Sequence, residues 1–235
     1  RKISKIVLID SELNIKYDKE GNPNFKIFKQ SDQQEEKIQL HQIYFSNCFI
    51  SYVHQQKKVD VKAETNKVLL QFDDNQQTNF SVKGDLFMQN LWVGKTDYIH
   101  KKQSKVDAEF AINDGVFHII NSNISIEDVN FNLDGDIQNR EVDLNIKAKN
   151  QQLKSVMLHT PEKFKSIYKT YTLEGSLNCN GTIKGVIGKT SNPHFNMDFD
   201  FSNANFKLKE NSFHLSGLQL SGNIDNGSTN NFEQT

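Results

Sequence analysis

Seven histidines, two cysteines and several neighbouring acidic pairs are the side chains of this 235-residue chain from which chemistry could be built. His41, His54, His100, His118, His159, His194 and His214 never fall at a zinc spacing, neither His-x-His on one strand face nor a helical i, i+4 pair. They read as structural or solvated groups, because a metal site needs several convergent ligands. Cys48 and Cys179 stand far apart in strand-like runs. Without a Cys-x-x-Cys they read as two small buried hydrophobes, with one bridge at most. Asp134-Gly135-Asp136 lacks the further ligands and the closing Glu of a calcium loop, and reads as a hairpin corner. Asp73-Asp74 and Glu35-Glu36 are poor acid–base pairs, since adjacent strand residues face opposite ways; they read as solvated loop charge. Gly181 to Gly188 is Gly-rich, but no Lys-Ser/Thr and no helix follow to hold a phosphate. There is no Gly-x-Ser-x-Gly elbow. The Asn-x-Ser/Thr triplets at Asn79 and Asn180 are expected by chance in so Asn-rich a chain. The expectation is a protein without a catalytic residue, metal or cofactor, and not an enzyme.

The totals narrow the partners. A formal net charge of −1, from 28 basic and 29 acidic residues, gives no electrostatic footprint for nucleic acid and no strongly charged patch for a membrane surface. Apolar residues make up only 36 %, yet 17 are Phe, so the apolar surface is concentrated in large side chains. No apolar run approaches the roughly 20 residues of a membrane span, and no signal peptide is visible. The chain starts at Arg1 rather than Met, so a piece of a longer protein is expected.

The elements that would position these residues are strands. From Glu174 to Gly222 apolar and polar residues alternate almost without a break. Leu177, Cys179, Gly181 and Ile183 oppose Ser176, Asn178, Asn180 and Thr182; Phe195, Met197, Phe199 and Phe201 oppose Asn196, Asp198 and Asp200. Phe206, Leu208, Phe213, Leu215, Leu218 and Leu220 follow. Period two marks strands with one buried and one wet face. Turn residues at 185–193, Ser202-Asn203, Glu210-Asn211 and Ser216-Gly217 read as the breaks. Earlier, Ile3 to Tyr17 gives two short strands around Asp10-Ser11, a turn runs from Asp18 to Asn24, and Phe25 to Phe28 is a strand before a polar loop to Lys37. Ile38 to Val53 repeats strand, Ser46-Asn47 corner, strand. Alternation resumes through Lys58 to Phe72, a turn within Gln71 to Thr78, Asn79 to Met88, Leu91 to Tyr98 with Trp92, and Ser104 to Ile112. Asn113-Asp114-Gly115 is a hairpin turn. Phe117, Ile119, Ile124, Ile126, Val129 and Phe131 match Phe206, Leu208, Phe213, Leu215, Leu218 and Leu220 at a constant offset. This is an internal repeat of residues 116–135 and 205–222. Glu141 to Ala148 closes a hairpin whose turn is Gln138 to Arg140. A single segment, near 152–170, is helical. Leu153, Val156 and Met157 form a short turn, then Thr160-Pro161-Glu162 starts a second helix with Phe164, Ile167 and Tyr168 on one face.

The fold expected is therefore mainly β, a long antiparallel curved sheet forming a groove, with one short helical segment. Residues 1–222 read as one domain and 223–235 as a polar tail. Burying about ten large side chains is worth roughly 15–30 kcal/mol, so a one-faced apolar sheet needs a cover. Either a second sheet supplies it, giving a structural or adhesive β-sandwich with a dry core, or the sheet curls around something apolar. Gly181, Gly185 and Gly188 are candidates for the bends that curling needs.

The strand–corner–strand units of Ile6 to Tyr17 and Ile43 to Tyr52, Gly175 to Gly185 (GSLNCNGTIKG), Asn192-Pro193 before a new strand, Phe206 to Gly222, and the helical segment with Thr160-Pro161 together resemble the AsmA family of Gram-negative envelope proteins. The likeness is one of pattern and order over about two thirds of the chain. It implies a periplasmic, β-groove, lipid-transfer-type protein held to the inner membrane by an N-terminal helix. Such a protein works in outer-membrane biogenesis and phospholipid transport, beside other envelope proteins. This sequence departs from the pattern in lacking that anchor and any long apolar C-terminal segment. The residues expected to line a groove for phospholipid acyl chains are Leu177, Ile183, Phe195, Met197, Phe199, Phe201, Phe206, Leu208, Phe213 and Leu215.

Overall fold

The computed structural model describes residues 2–24, 39–73, 79–94, 96–159, 170–187, 191, 193–209 and 213–227. The strand expected at Phe25 to Phe28, the loop to Lys37, most of the turn within Gln71 to Thr78, Gly188, the second helix from Thr160 and the end of the polar tail lie outside them. The described residues are mainly β. The strands are β1 (Lys2–Ile9), β2 (Glu12–Tyr17), β3 (Gln39–His54), β4 (Val59–Phe72), β5 (Asn79–Val93), β6 (Thr96–Asn113), β7 (Val116–Ile126), β8 (Val129–Gln138), β9 (Glu141–Gln152), β10 (Tyr171–Val186), β11 (His194–Leu208) and β12 (His214–Asp225), with a short helix α1 (Leu153–His159) between β9 and β10. The twelve strands join in the order β1-β3-β4-β5-β6-β7-β8-β9-β10-β11-β12, with β2 also paired to β3. The chain divides into two compact units, Arg1–Asp107 and Ala108–Thr235.

In the first unit the expected all-antiparallel pairing is corrected at its start: β1 and β2 both run parallel to β3. The two strand–corner–strand stretches lie side by side rather than in series. Asp10 N–H donates to Ser46 O (3.0 Å) and Phe49 N–H to Ser11 O (2.9 Å), so the Asp10-Ser11 break lies against Asn47. That break ends a strand, whereas the Ser46-Asn47 corner does not: β3 runs through it, with Asn47 in the left-handed region at φ 52°. Asn tolerates that conformation, so the strand bends without stopping. Thr65 braces the bend from β4. Its hydroxyl accepts from Cys48 N–H (3.0 Å) and donates to Cys48 O (3.2 Å), replacing the lost ladder bonds. Register places Leu8, Ile43, Phe45, Cys48, Ile50, Ala63, Val68, Leu70, Val82 and Leu86 on one face. Phe45, Cys48 and Val68 are its buried centre.

The second unit is an antiparallel meander from β7 to β12. Asp114 (φ 50°) and Gly115 (φ 77°) make the two-residue turn into β7, as the sequence predicts. The predicted turn between β8 and β9 is also there, with Asn139 at φ 55°. Other expected breaks are again bends. Asn203 (φ 51°) lies inside β11, and Ser216-Gly217 inside β12. Asp134-Gly135-Asp136 is not a hairpin corner but the middle of β8. Gly135 (φ 131°) is there because a Cβ would sit 2.0 Å from Asp143 O on β9. Of the glycines expected to bend β10, Gly185 has φ 119° and Gly175 joins it at φ 117°, while Gly181 lies buried in the regular ladder.

The two matched stretches do not fold alike. At their constant offset, the β7–β8 turn at Glu127-Asp128 corresponds to the bend at Ser216-Gly217. The irregular middle of β7, between Ile119 and Asn123, falls at 208–212, of which 210–212, with the expected Glu210-Asn211 break, lie outside the described residues. The turn of one stretch stands where the other only bends, since small polar residues serve both. The β7 bend has its own hydroxyl brace: Ser122 accepts from Leu133 N–H (2.9 Å) and donates to Leu133 O (2.6 Å). Thr65 and Ser122 are the largest fully buried side chains among the described residues.

Candidate functional site

Directly paired residues of an antiparallel ladder share a face. In the second unit this rule collects Ile137, Val142, Gly185 on one row, and Gly135, Leu144, Ile183, Phe195 on the next. Further rows are Leu133, Ile146, Gly181, Met197, Ile224, then Ala148, Cys179, Phe199, Gly222, and then Leu177, Phe201, Leu220. The opposite face carries Asp143, Asn145, Lys147, Asn178, Asn180, Thr182, Lys184, Asn196, Asp198, Asp200, Asn223 and Asp225. The sheet is thus divided cleanly between an apolar and a polar side.

Nothing among the described residues of this unit stacks a second sheet on the apolar side. Among the described residues of this unit the main contacts are those between neighbouring strands and those of α1 with β8, β9 and β10. Burial follows from that single layer. Of the ten residues predicted to line a groove, Leu177 is buried; Ile183, Phe195, Met197, Phe199, Phe201, Phe206 and Leu208 are half-buried; Phe213 (47 %) and Leu215 (41 %) are exposed. Part of their cover comes from their own neighbours. Phe199 lies over Gly222, its Cζ 2.5 Å from where a Cβ would stand, and pairs with Phe201 at 5.0 Å between ring centres. Gly181 makes room in the same way for Met197 and Ile146, each 3.2 Å from its would-be Cβ.

The ten residues do not form one patch. The bends at Gly175, Ala204 and Leu218 cross β10, β11 and β12 as a row, and Leu153 of α1 is seated there. Leu153, Leu177 and Ala204 are buried together, with Val156, Leu173, Cys179, Phe199, Phe201 and Leu218 packed around them. On one side of this row lie Ile183, Phe195 and Met197. On the other, Tyr171, Phe206 and Phe213 form an aromatic cluster (5.0 and 6.3 Å between centres) beside Leu208 and Leu215.

The polar chemistry holds elements in place. Asp128, in the β7–β8 turn, accepts from the Ser155 hydroxyl on one carboxylate oxygen and meets His159 Nε2 at 2.9 Å on the other. Ser155 and His159 are one helical turn apart on α1. Ser155 gives its hydrogen bond to the carboxylate rather than to an imidazole base, so the trio lacks the nucleophile–base contact of a hydrolase. The hydroxyl, then the imidazole, hold the Asp128 carboxyl below the ordinary carboxylate range. His118–Asp136 (2.6 Å) and His194–Asp225 (2.8 Å) are cross-strand pairs on the polar face. Asn145 donates to Asp134 (2.8 Å). No group of three or more His, Cys, Asp or Glu that could hold a metal occurs among the described residues. Both cysteines are free; Cys48 is buried, and burial pushes the half-buried Cys179 thiol up.

Compared with known proteins, the chain matches no family model, no curated protein and no solved structure.

Sequence reasoning missed the two hydroxyl braces and the α1 anchor. The braces carry a signal: apolar residues shift phase between Phe45 and Cys48 and between Ile119 and Ile124, and a bend must absorb each slip. Nothing in the sequence ties Asp128 to Ser155 and His159.

Proposed function

We propose that this chain is a non-enzymatic lipid-binding section of an AsmA-like envelope protein, holding or conducting phospholipid acyl chains on its apolar β face. It would act in the periplasm, tethered to the inner membrane, in outer-membrane biogenesis. The observation that carries the reading is the single-layered sheet of the second unit, whose large apolar side chains are half-buried rather than buried. Such a face attracts an apolar guest, at about 0.8 kcal/mol for each methylene removed from water. Affinity then grows with chain length and depends little on the headgroup. A β-sandwich with a dry core needs a second layer over these residues, and the described strands contribute none.

The direct test is extraction of the purified protein with organic solvent, followed by mass spectrometry. Co-purifying phospholipid or fatty acid, near one molecule per chain or above, is the expected result. A lipid-free protein that also fails to bind a hydrophobic-probe dye would end the proposal.

A further inference from the structure

We infer that α1 is a displaceable stop on the apolar face of the second unit: seated on the bend by Leu153 and anchored by Asp128, it separates two acyl-binding patches that join when it lifts. The inference rests on the function proposed above and concerns its control.

Leu153 is 2 % exposed, on the row where Gly175, Ala204 and Leu218 bend the sheet. The patch with Ile183, Phe195 and Met197 lies to one side and the Tyr171–Phe206–Phe213 cluster to the other. An acyl chain following the apolar face from one to the other meets α1. The helix is seven residues long, too short to hold its form alone, so it depends on what it touches. Leu153 and Val156 supply the apolar seat, while Leu158 stays 58 % exposed. The polar hold converges on the β7–β8 hairpin, where Asp128 takes Ser155 and His159 and Gln151 Oε1 accepts from Asn130 N–H (2.7 Å). The helix rests on the sheet face and takes no part in the strand ladder, so it can leave its site without unfolding the ladder beneath.

Cys179 is a native reporter, since it packs against the Leu153 cluster, whereas Cys48 is buried in the other unit. Alkylation of the full chain, read separately at each cysteine by peptide mass spectrometry, follows the seat. Asp128→Ala is expected to raise the Cys179 rate about tenfold with Cys48 unchanged, and Ser155→Ala, which keeps the His159 contact, to raise it less. Ser155→Ala carries the test if Asp128→Ala fails to fold. The same variants are expected to bind a fluorescent 16-carbon fatty acid about fivefold more tightly than the parent chain. An unchanged Cys179 rate, or both cysteines opening together, overturns the stop. A selective Cys179 increase with no fatty acid bound by any variant overturns the acyl-chain reading of the face, while α1 remains shown to lift.

Discussion

Met197→Asp separates a ligand-lining residue from a core residue. Met197 lies on β11 between Gly181 and Ile224, half-buried, and outside the buried cluster under α1. Full burial of such a side chain is worth about 1.5–3 kcal/mol, so its half-burial contributes about 1 kcal/mol to folding. The introduced carboxylate keeps access to water, which avoids the cost of an enclosed charge. The melting temperature should fall by about 2–4 °C. A bound acyl chain loses much more, because a carboxylate beside it disrupts burial of three or four methylenes. At about 0.8 kcal/mol each that is 2–3 kcal/mol, a 30- to 150-fold rise in Kd. The assay is displacement of a fluorescent fatty acid, with thermal unfolding measured on the same preparation. Asp198→Asn, on the polar face one residue away, is the control and should leave both readings unchanged. Unaltered binding in Met197→Asp would refute the lining role, and a stability loss above about 3 kcal/mol would show that Met197 is core.

Other perturbations test the frame. Gly135→Ala forces a Cβ against Asp143 O and Leu144 Cα, which are backbone and cannot yield, and should cost about 2–4 kcal/mol by urea unfolding. Thr65→Val keeps the shape of the side chain but leaves the buried N–H and C=O of Cys48 unpaired, a loss of about 1–3 kcal/mol in the same assay. His54 is buried against Tyr17, with rings stacked at 4.6 Å; burial, then Lys57, hold its pKa below the ordinary 6.5. The unfolded chain then takes up a proton near 6.5 that the folded chain refuses. This contribution is complete above 6.5 and is lost as pH falls from there through the folded value. Urea midpoints at pH 7.5 and 5.5 should therefore differ less for His54→Phe than for the parent chain.

The alternation that made the strands legible also fixed their faces, because register in a meander follows from hairpin turns such as Asp114-Gly115. Leu177 to Ile183 and Phe195 to Phe201 lie on the face their period assigns. What the sequence concealed is where a small polar residue ends a strand and where it only bends one. Asp10, Asn47 and Asn203 all adopt the left-handed conformation, yet only Asp10 stands at a strand end. The choice depends on whether a neighbouring strand continues the ladder past the bend, which is tertiary information. The same ambiguity made residues 116–135 and 205–222 look like copies, although the turn at Glu127-Asp128 stands where Ser216-Gly217 only bends a strand. Parallel pairing of β1 and β2 with β3 was hidden for a related reason, since no short turn links those strands to set their register. Within the candidate site, the apolar residues were legible and their division by α1 was not, because Leu153 and Ala204 are brought together by the bend.

The two units solve one packing problem in the same way, and that bears on what can cover them. Each puts small or slender residues in its middle rows: Cys48, Ala63, Thr65 and Gly84 in the first, Gly135, Ala148, Gly181 and Gly222 in the second. Larger side chains lean over those rows, as Phe199 does over Gly222. Leaning buries one side of a ring against the sheet and leaves the other side open, in keeping with the half-burial of Phe199 on β11. A protein layer packed at crystal-like density would need fixed knobs and holes on that open side. An acyl chain asks only for continuous apolar contact and adapts its own conformation. On the lipid-binding proposal, the Phe199 ring leaning over Gly222 is one place where such a chain would find that contact.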